Sequence, residues 1–145
     1  NGVMDPNDNA EKVYTDPNQA NHFVTETGIT ALACSFGTTH GLYTAAPRLN
    51  FDIVREVRRL TGGIPVVMHG GSGVSVEDYR TAIAAGVRKI NYFTYMDKAG
   101  GAAVVDHLNS LKEGEPVFFS SIFMAAREAM KENVRSAMKV FAGIE

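Results

Sequence analysis

Three short stretches carry residue types from which a site could be built. His40-Gly41 follows one apolar run, His69-Gly70-Gly71-Ser72-Gly73 follows a second, and Asn91-Tyr92-Phe93-Thr94 follows a third. An imidazole offers a lone pair to a divalent metal, and glycines let backbone amides come close to an anion. The run from Ile64 to Gly73 combines both. Val66, Val67 and Met68, bounded by Pro65 and the glycines, read as a buried strand, and Ser75 then caps a helix whose first amides point the same way as the turn. One reading is a metal-competent ring beside an anion-binding turn. The other is a hydrogen-bonded structural histidine ahead of an ordinary glycine loop, and the stretch alone does not separate them.

The elements that must position these residues alternate. Residues 1–15 are polar, without apolar period, and read as a loop. Asp16 as N-cap and Pro17 at the first helical position predict a helix ending at Gly28, with Ala20, Phe23, Val24 and Thr27 on one face. Residues 29–36 read as a strand buried on both faces. Asn50 caps a helix that turns Ile53, Val54, Val57 and Leu60 inward and leaves Arg55, Glu56, Arg58 and Arg59 in water, with Gly62-Gly63 as its stop. After the central strand, Ser75 and Asp78 form a capping box ahead of Tyr79, Ala82 and Ile83, and Gly86 precedes the strand Val87-Arg88-Lys89-Ile90-Asn91. Two helices close the chain, one over residues 94–111 with a weak point at Gly100-Gly101. The other covers residues 121–141 and carries Ala125, Ala129, Val134, Met138 and Phe141. Strands separated by helices predict an α/β fold with right-handed crossovers and a parallel sheet.

In a parallel sheet the carboxyl ends of all strands lie on one edge, so the three stretches converge. His40 and His69 could then share a zinc-type ion, but a catalytic zinc takes three protein ligands. His22 and His107 sit within helices and read as surface or packing residues, so the third ligand is expected outside this chain. Ser72, Asn91 and Thr94 with the glycine turns make a phosphate cradle, although Asn91 and Thr94 could equally cap the following helix. Arg88 and Lys89 alternate between the two sheet faces and are assigned no chemistry. Cys34 reads as a small core residue.

Composition narrows the partners. The 145 residues are 45% hydrophobic and 21% charged, which fits one globular domain. Fourteen basic and 16 acidic residues give a net charge of −2 with no basic block, which argues against nucleic acid as a partner. No run reaches membrane-spanning length, and a single cysteine fits a reducing, cytoplasmic setting. A start at Asn1 without methionine leads to the expectation of an upstream portion.

Taken in order and spacing, three motifs resemble those of the class II, zinc-dependent ketose-bisphosphate aldolases. They are residues 31–36 running into Gly37-Thr38-Thr39-His40-Gly41-Leu42-Tyr43, then Pro65-Val66-Val67-Met68-His69-Gly70-Gly71-Ser72-Gly73, then Lys89-Ile90-Asn91-Tyr92-Phe93-Thr94. The resemblance implies a TIM (β/α)8 barrel, of which residues 1–145 would supply the last three strand–helix units plus the C-terminal helices of a single domain. It implies aldol cleavage or condensation of a fructose- or tagatose-type 1,6-bisphosphate, giving dihydroxyacetone phosphate and glyceraldehyde 3-phosphate. Zinc would act as Lewis acid for the enediolate. By motif, His40 and His69 would be zinc ligands. Gly41, Gly70, Gly71, Ser72, Asn91, Tyr92, Phe93 and Thr94 would bind substrate, with a monovalent cation (Na+ or K+) nearby. The third ligand and a catalytic aspartate would come from earlier strands, in a cytoplasmic homo-oligomer, dimer or tetramer. The chain departs from the family's Asn-Val-Asn-Thr or Asn-Ile-Asp-Thr at Phe93, which leaves the preferred sugar open. The alternative is a non-catalytic phosphosugar-binding module or an inactive barrel fragment.

Overall fold

Side-chain caps set the starts of the first three helices in the computed structural model, which describes residues 14–42 and 46–144. Residues 1–13 of the expected polar loop over residues 1–15, and Tyr43, lie outside them. The order is α1 (Pro17–Thr27), β1 (Leu32–Ala33), α2 (Phe51–Leu60), β2 (Val66–Met68), α3 (Val76–Ala85), β3 (Val87–Ile90), α4 (Thr94–Ser110) and α5 (Phe119–Ala142). Asp16 accepts from the amides of Asn18 and Gln19, Asn50 from that of Asp52, and Ser75 from that of Asp78. Each satisfies an amide that the first helical turn leaves without a partner. The chain falls into two compact units, one ending at Tyr92 and the other beginning at Phe93.

The first unit is a three-stranded parallel sheet in the order β1-β2-β3 with its helices. Its core consists of Phe36, Val54, Val57, Val66, Met68 and Val87, all essentially inaccessible to solvent, together with Ile53, Ile64, Tyr79 and Ala82. Burying each of the Phe, Val, Ile and Met side chains among them contributes on the order of 1.5–3 kcal/mol. Leu32 pairs with Val66 and Ala33 with Val67. Only two residues of the expected first strand form a ladder, and Ala33 is exposed. Among the described residues β1 pairs with β2 alone, and the burial expected on both faces fails at Ala33.

Across β2 and β3, Val66 pairs with Val87, but Val67 pairs with Lys89 and Met68 with Ile90, a bulge that leaves Arg88 over. The Arg88 guanidinium donates to the carbonyls of Ile83 (2.7 Å) and Val87 (2.9 Å). Simple alternation along this strand therefore fails, and Arg88 and Lys89 are both exposed. Arg58 also departs from expectation. Its guanidinium donates to the carbonyls of Ile64 (3.3 Å) and Gly86 (3.4 Å), and its stem lies against Gly86, where even a Cβ would meet it at 1.8 Å. It is half-buried rather than wet because two chain segments end in carbonyls beside it. On α1 only Ala20 is buried, and Phe23 is 51% exposed.

The second unit pairs α4 with α5. The helix α4 runs unbroken through Gly100-Gly101, and Gly100 is buried against Met130, whose Cγ lies 2.8 Å from where a Cβ would stand. The expected weak point is thus a close helix contact. His107 holds Ser121 at 3.0 Å, a packing role as expected, and Met138 on α5 is 62% exposed. No helix among the described residues is long and apolar enough to cross a membrane.

Candidate metal and anion site

The site assembles at the carboxyl edge of the first unit's sheet. The turn after β2 is built by close backbone approach. Gly70 has φ +62°, and a Cβ there would stand 2.1 Å from the carbonyl oxygen of Thr39, in the loop after β1. Gly71 is pressed against β3, where a Cβ would meet Ile90 at 2.8 Å and the Asn91 carbonyl oxygen at 3.1 Å. No side chain fits either place, so this pair of glycines is dictated by the contacts of the turn. The Gly71 amide donates to the Asn91 carbonyl (3.3 Å), and the Asn91 amide donates to that of Met68 (2.9 Å). From below, the buried Tyr79 hydroxyl donates to the Gly71 carbonyl.

These contacts bring the expected ligands together. The rings of His40 and His69 lie with centroids 5.6 Å apart at an interplanar angle of 68°. Both residues are exposed at the sheet edge. Two imidazoles bound tetrahedrally to one zinc at about 2.0–2.1 Å place their centroids roughly 5 Å apart, so the pair fits a shared ion. Among the described residues no third His, Cys, Asp or Glu completes a cluster. His22 is exposed on α1.

The second expected ligand group is arranged differently from the expectation. Asn91 joins the site through its side chain, with Nδ2 2.9 Å from Nδ1 of His69 and 3.3 Å from Nε2. It does not cap α4, whose N-cap is Phe93 with no side-chain hydrogen bond. Ser72 is buried at the turn. Since the Gly71 amide is committed to Asn91, that glycine contributes closeness rather than a donor. Gly41 has φ +100° and open space around it. Tyr92 is half-buried at the end of the first unit, while Phe93, 63% exposed, and Thr94 open the second.

Two contributors escaped the sequence reading. The Lys89 ammonium donates to Oδ1 of Asn91, and Tyr79 supplies a buried hydroxyl as well as apolar surface. The signal for Lys89 was its i, i+2 spacing from Asn91, which puts both on the His69 side of the strand.

The whole stretch is matched by a family pattern. Residues 1–144 match the family described as fructose-bisphosphate aldolase class-II. The chain belongs to that family. It is 41% identical over 128 residues to the uncharacterized protein YdjI of Escherichia coli K12, an alignment covering 88% of this chain and 43% of that protein. It is 40% identical over 130 residues to the fructose-bisphosphate aldolase of Staphylococcus aureus Mu50, covering 89% and 44%. The crystal structure of the YdjI aldolase superposes with a TM-score of 0.76 at 39% identity, over 88% of this chain and 46% of that one. The fructose-bisphosphate aldolase of Campylobacter jejuni shares the fold, with a TM-score of 0.71 at 23% identity, over 95% and 49%. The chain thus spans a little under half the length of these relatives.

Proposed function

We propose that this chain forms the zinc- and phosphate-binding part of an aldolase that cleaves a ketose 1,6-bisphosphate, of fructose or tagatose type, to dihydroxyacetone phosphate and glyceraldehyde 3-phosphate. The observation that carries this reading is the convergence of His40 and His69 from neighbouring parallel strands in a chain of the class II family. These two imidazoles would hold the ion, and the remaining ligand and the proton-transferring carboxylate would come from outside the described residues. Bound zinc supplies Lewis acidity to the negative charge that grows as the carbon–carbon bond breaks. The chain's own work is placement. The turn at residues 70–73 and the Ser72 hydroxyl would grip the substrate phosphate and turn remote binding into alignment of the breaking bond. Asn91 would offer its amide to the reacting oxygens beside the histidines.

The test is aldol cleavage by the intact protein, with fructose and tagatose bisphosphates compared. Activity is expected to disappear with a chelator, to return with zinc, and to be abolished in His69→Ala. Chelator-insensitive cleavage would overturn the zinc reading. Tight dihydroxyacetone phosphate binding with no zinc uptake and no cleavage would favour a phosphosugar-binding module instead.

A further inference from the structure

Lys89 and Asn91 stand on the face of the sheet that carries His69. Val67 pairs with Lys89, and two residues further along each strand come His69 and Asn91, so the alternation of side chains puts all four on one side. The Lys89 ammonium donates to Oδ1 of Asn91. Among the described residues it pairs with no carboxylate, so its partner is a neutral group. A cation beside a neutral amide acts directionally: it attracts the oxygen end of the amide dipole and repels the nitrogen end. Because the ammonium carries only donors, one orientation alone makes a bond, with oxygen toward Lys89 and nitrogen toward His69. Nδ2 accordingly lies 2.9 and 3.3 Å from the two ring nitrogens of His69. An oxygen bound beside that ring meets an N–H group, whereas a reversed amide would present a carbonyl and repel it.

Resting on the aldolase reading above, we propose that Lys89 is a positioning residue for that reaction. It holds the Asn91 amide with its donor end toward the reacting oxygens and does not touch substrate itself. The hydrogen bond it controls matters most where negative charge grows as the carbon–carbon bond breaks, because a preset donor needs no reorientation at that moment. Binding of the uncharged carbonyl gains little from it.

Steady-state kinetics and ligand binding on the purified intact protein test this. Lys89→Met is expected to lower kcat about tenfold, the worth of one hydrogen bond to a charged group, with KM changed by less than about twofold. Lys89→Arg, which again offers only donors, should restore most of the loss. In Lys89→Met, affinity for dihydroxyacetone phosphate should stay within about twofold, while affinity for its anionic hydroxamate analogue should fall about tenfold. Asn91→Ala removes the amide altogether, and adding Lys89→Met to it should cost nothing further, because Lys89 acts only through that amide. Losses that add in the double variant would show Lys89 working on substrate directly and would overturn the proposal. So would an unchanged kcat in Lys89→Met, or an equal fall in both affinities, which is the mark of a merely structural role. If Asn91→Ala does not fold, the two affinities and the arginine rescue decide alone. Wild-type protein without chelator-sensitive cleavage would overturn the function proposed above and this role with it. Chelator-sensitive cleavage that is indifferent to Lys89→Met defeats only the role.

Discussion

The backbone of Gly70 lies against the backbone of Thr39 so closely that a Cβ on Gly70 would stand 2.1 Å from the Thr39 carbonyl oxygen. This contact joins the turn that presents His69 to the loop that presents His40. Gly70→Ala must therefore push the loops apart and hold an alanine at φ +62°. A loss of roughly 1–3 kcal/mol in denaturant unfolding is expected, in the range of a single strained backbone position. Weaker zinc binding should accompany it, because the histidine pair separates. Wild-type values in both measurements would show that the contact constrains nothing.

Tyr79→Phe removes the hydroxyl that donates to the Gly71 carbonyl while keeping the buried ring. The expected cost is about 1 kcal/mol of stability. Because the turn loses support from below, affinity for dihydroxyacetone phosphate should fall more than affinity for zinc. Calorimetric titration of the two ligands separates these effects.

Burial pushes the Cys34 thiol up to about 11 from an ordinary value of 9.0. The folded state then keeps its proton where the unfolded chain would lose it, so this contribution to stability is intact below pH 9 and is lost as pH rises from about 9 to about 11. Stability measured across that window should decline, and Cys34→Ala should flatten the decline. Thiol labelling of native protein at pH 8 should be slow and should accelerate in denaturant.

The two glycines inside α4 are predicted to behave oppositely. Gly101 has open space where a Cβ would be, so Gly101→Ala should raise stability by roughly 0.5–1 kcal/mol through helix propensity alone. Gly100 faces Met130, so Gly100→Leu should destabilise by overpacking. Thermal unfolding of the two variants checks the sign of each.

What could be read from the sequence was local. Asp16, Asn50 and Ser75 lie within three residues of the amides they cap, and Gly28 and Gly86 close their helices where expected. The convergence of His40 and His69 was legible too, because parallel order follows from the alternation of helices and strands. The failures share a cause in distance or geometry. Arg58 bonds to carbonyls 6 and 28 residues away, which no helical periodicity registers. Lys89 meets Asn91 two residues on, a side-chain contact that no apolar pattern marks, and the Asn91 amide meets a ring 22 residues upstream instead of capping a helix.

Arg88 is the residue that the ladder between β2 and β3 does not use. A chain one residue shorter at that point would still pair Val66 with Val87, Val67 with Lys89 and Met68 with Ile90, and every one of them would keep its face. The pairing therefore tolerates the loss of one residue at position 88, and what such a loss removes is the pair of bonds from Arg88 to the Ile83 and Val87 carbonyls. One position further on the tolerance ends. Adding or removing a residue between Lys89 and Asn91 would turn Asn91 to the far side of the strand, away from His69, since side chains alternate along a strand.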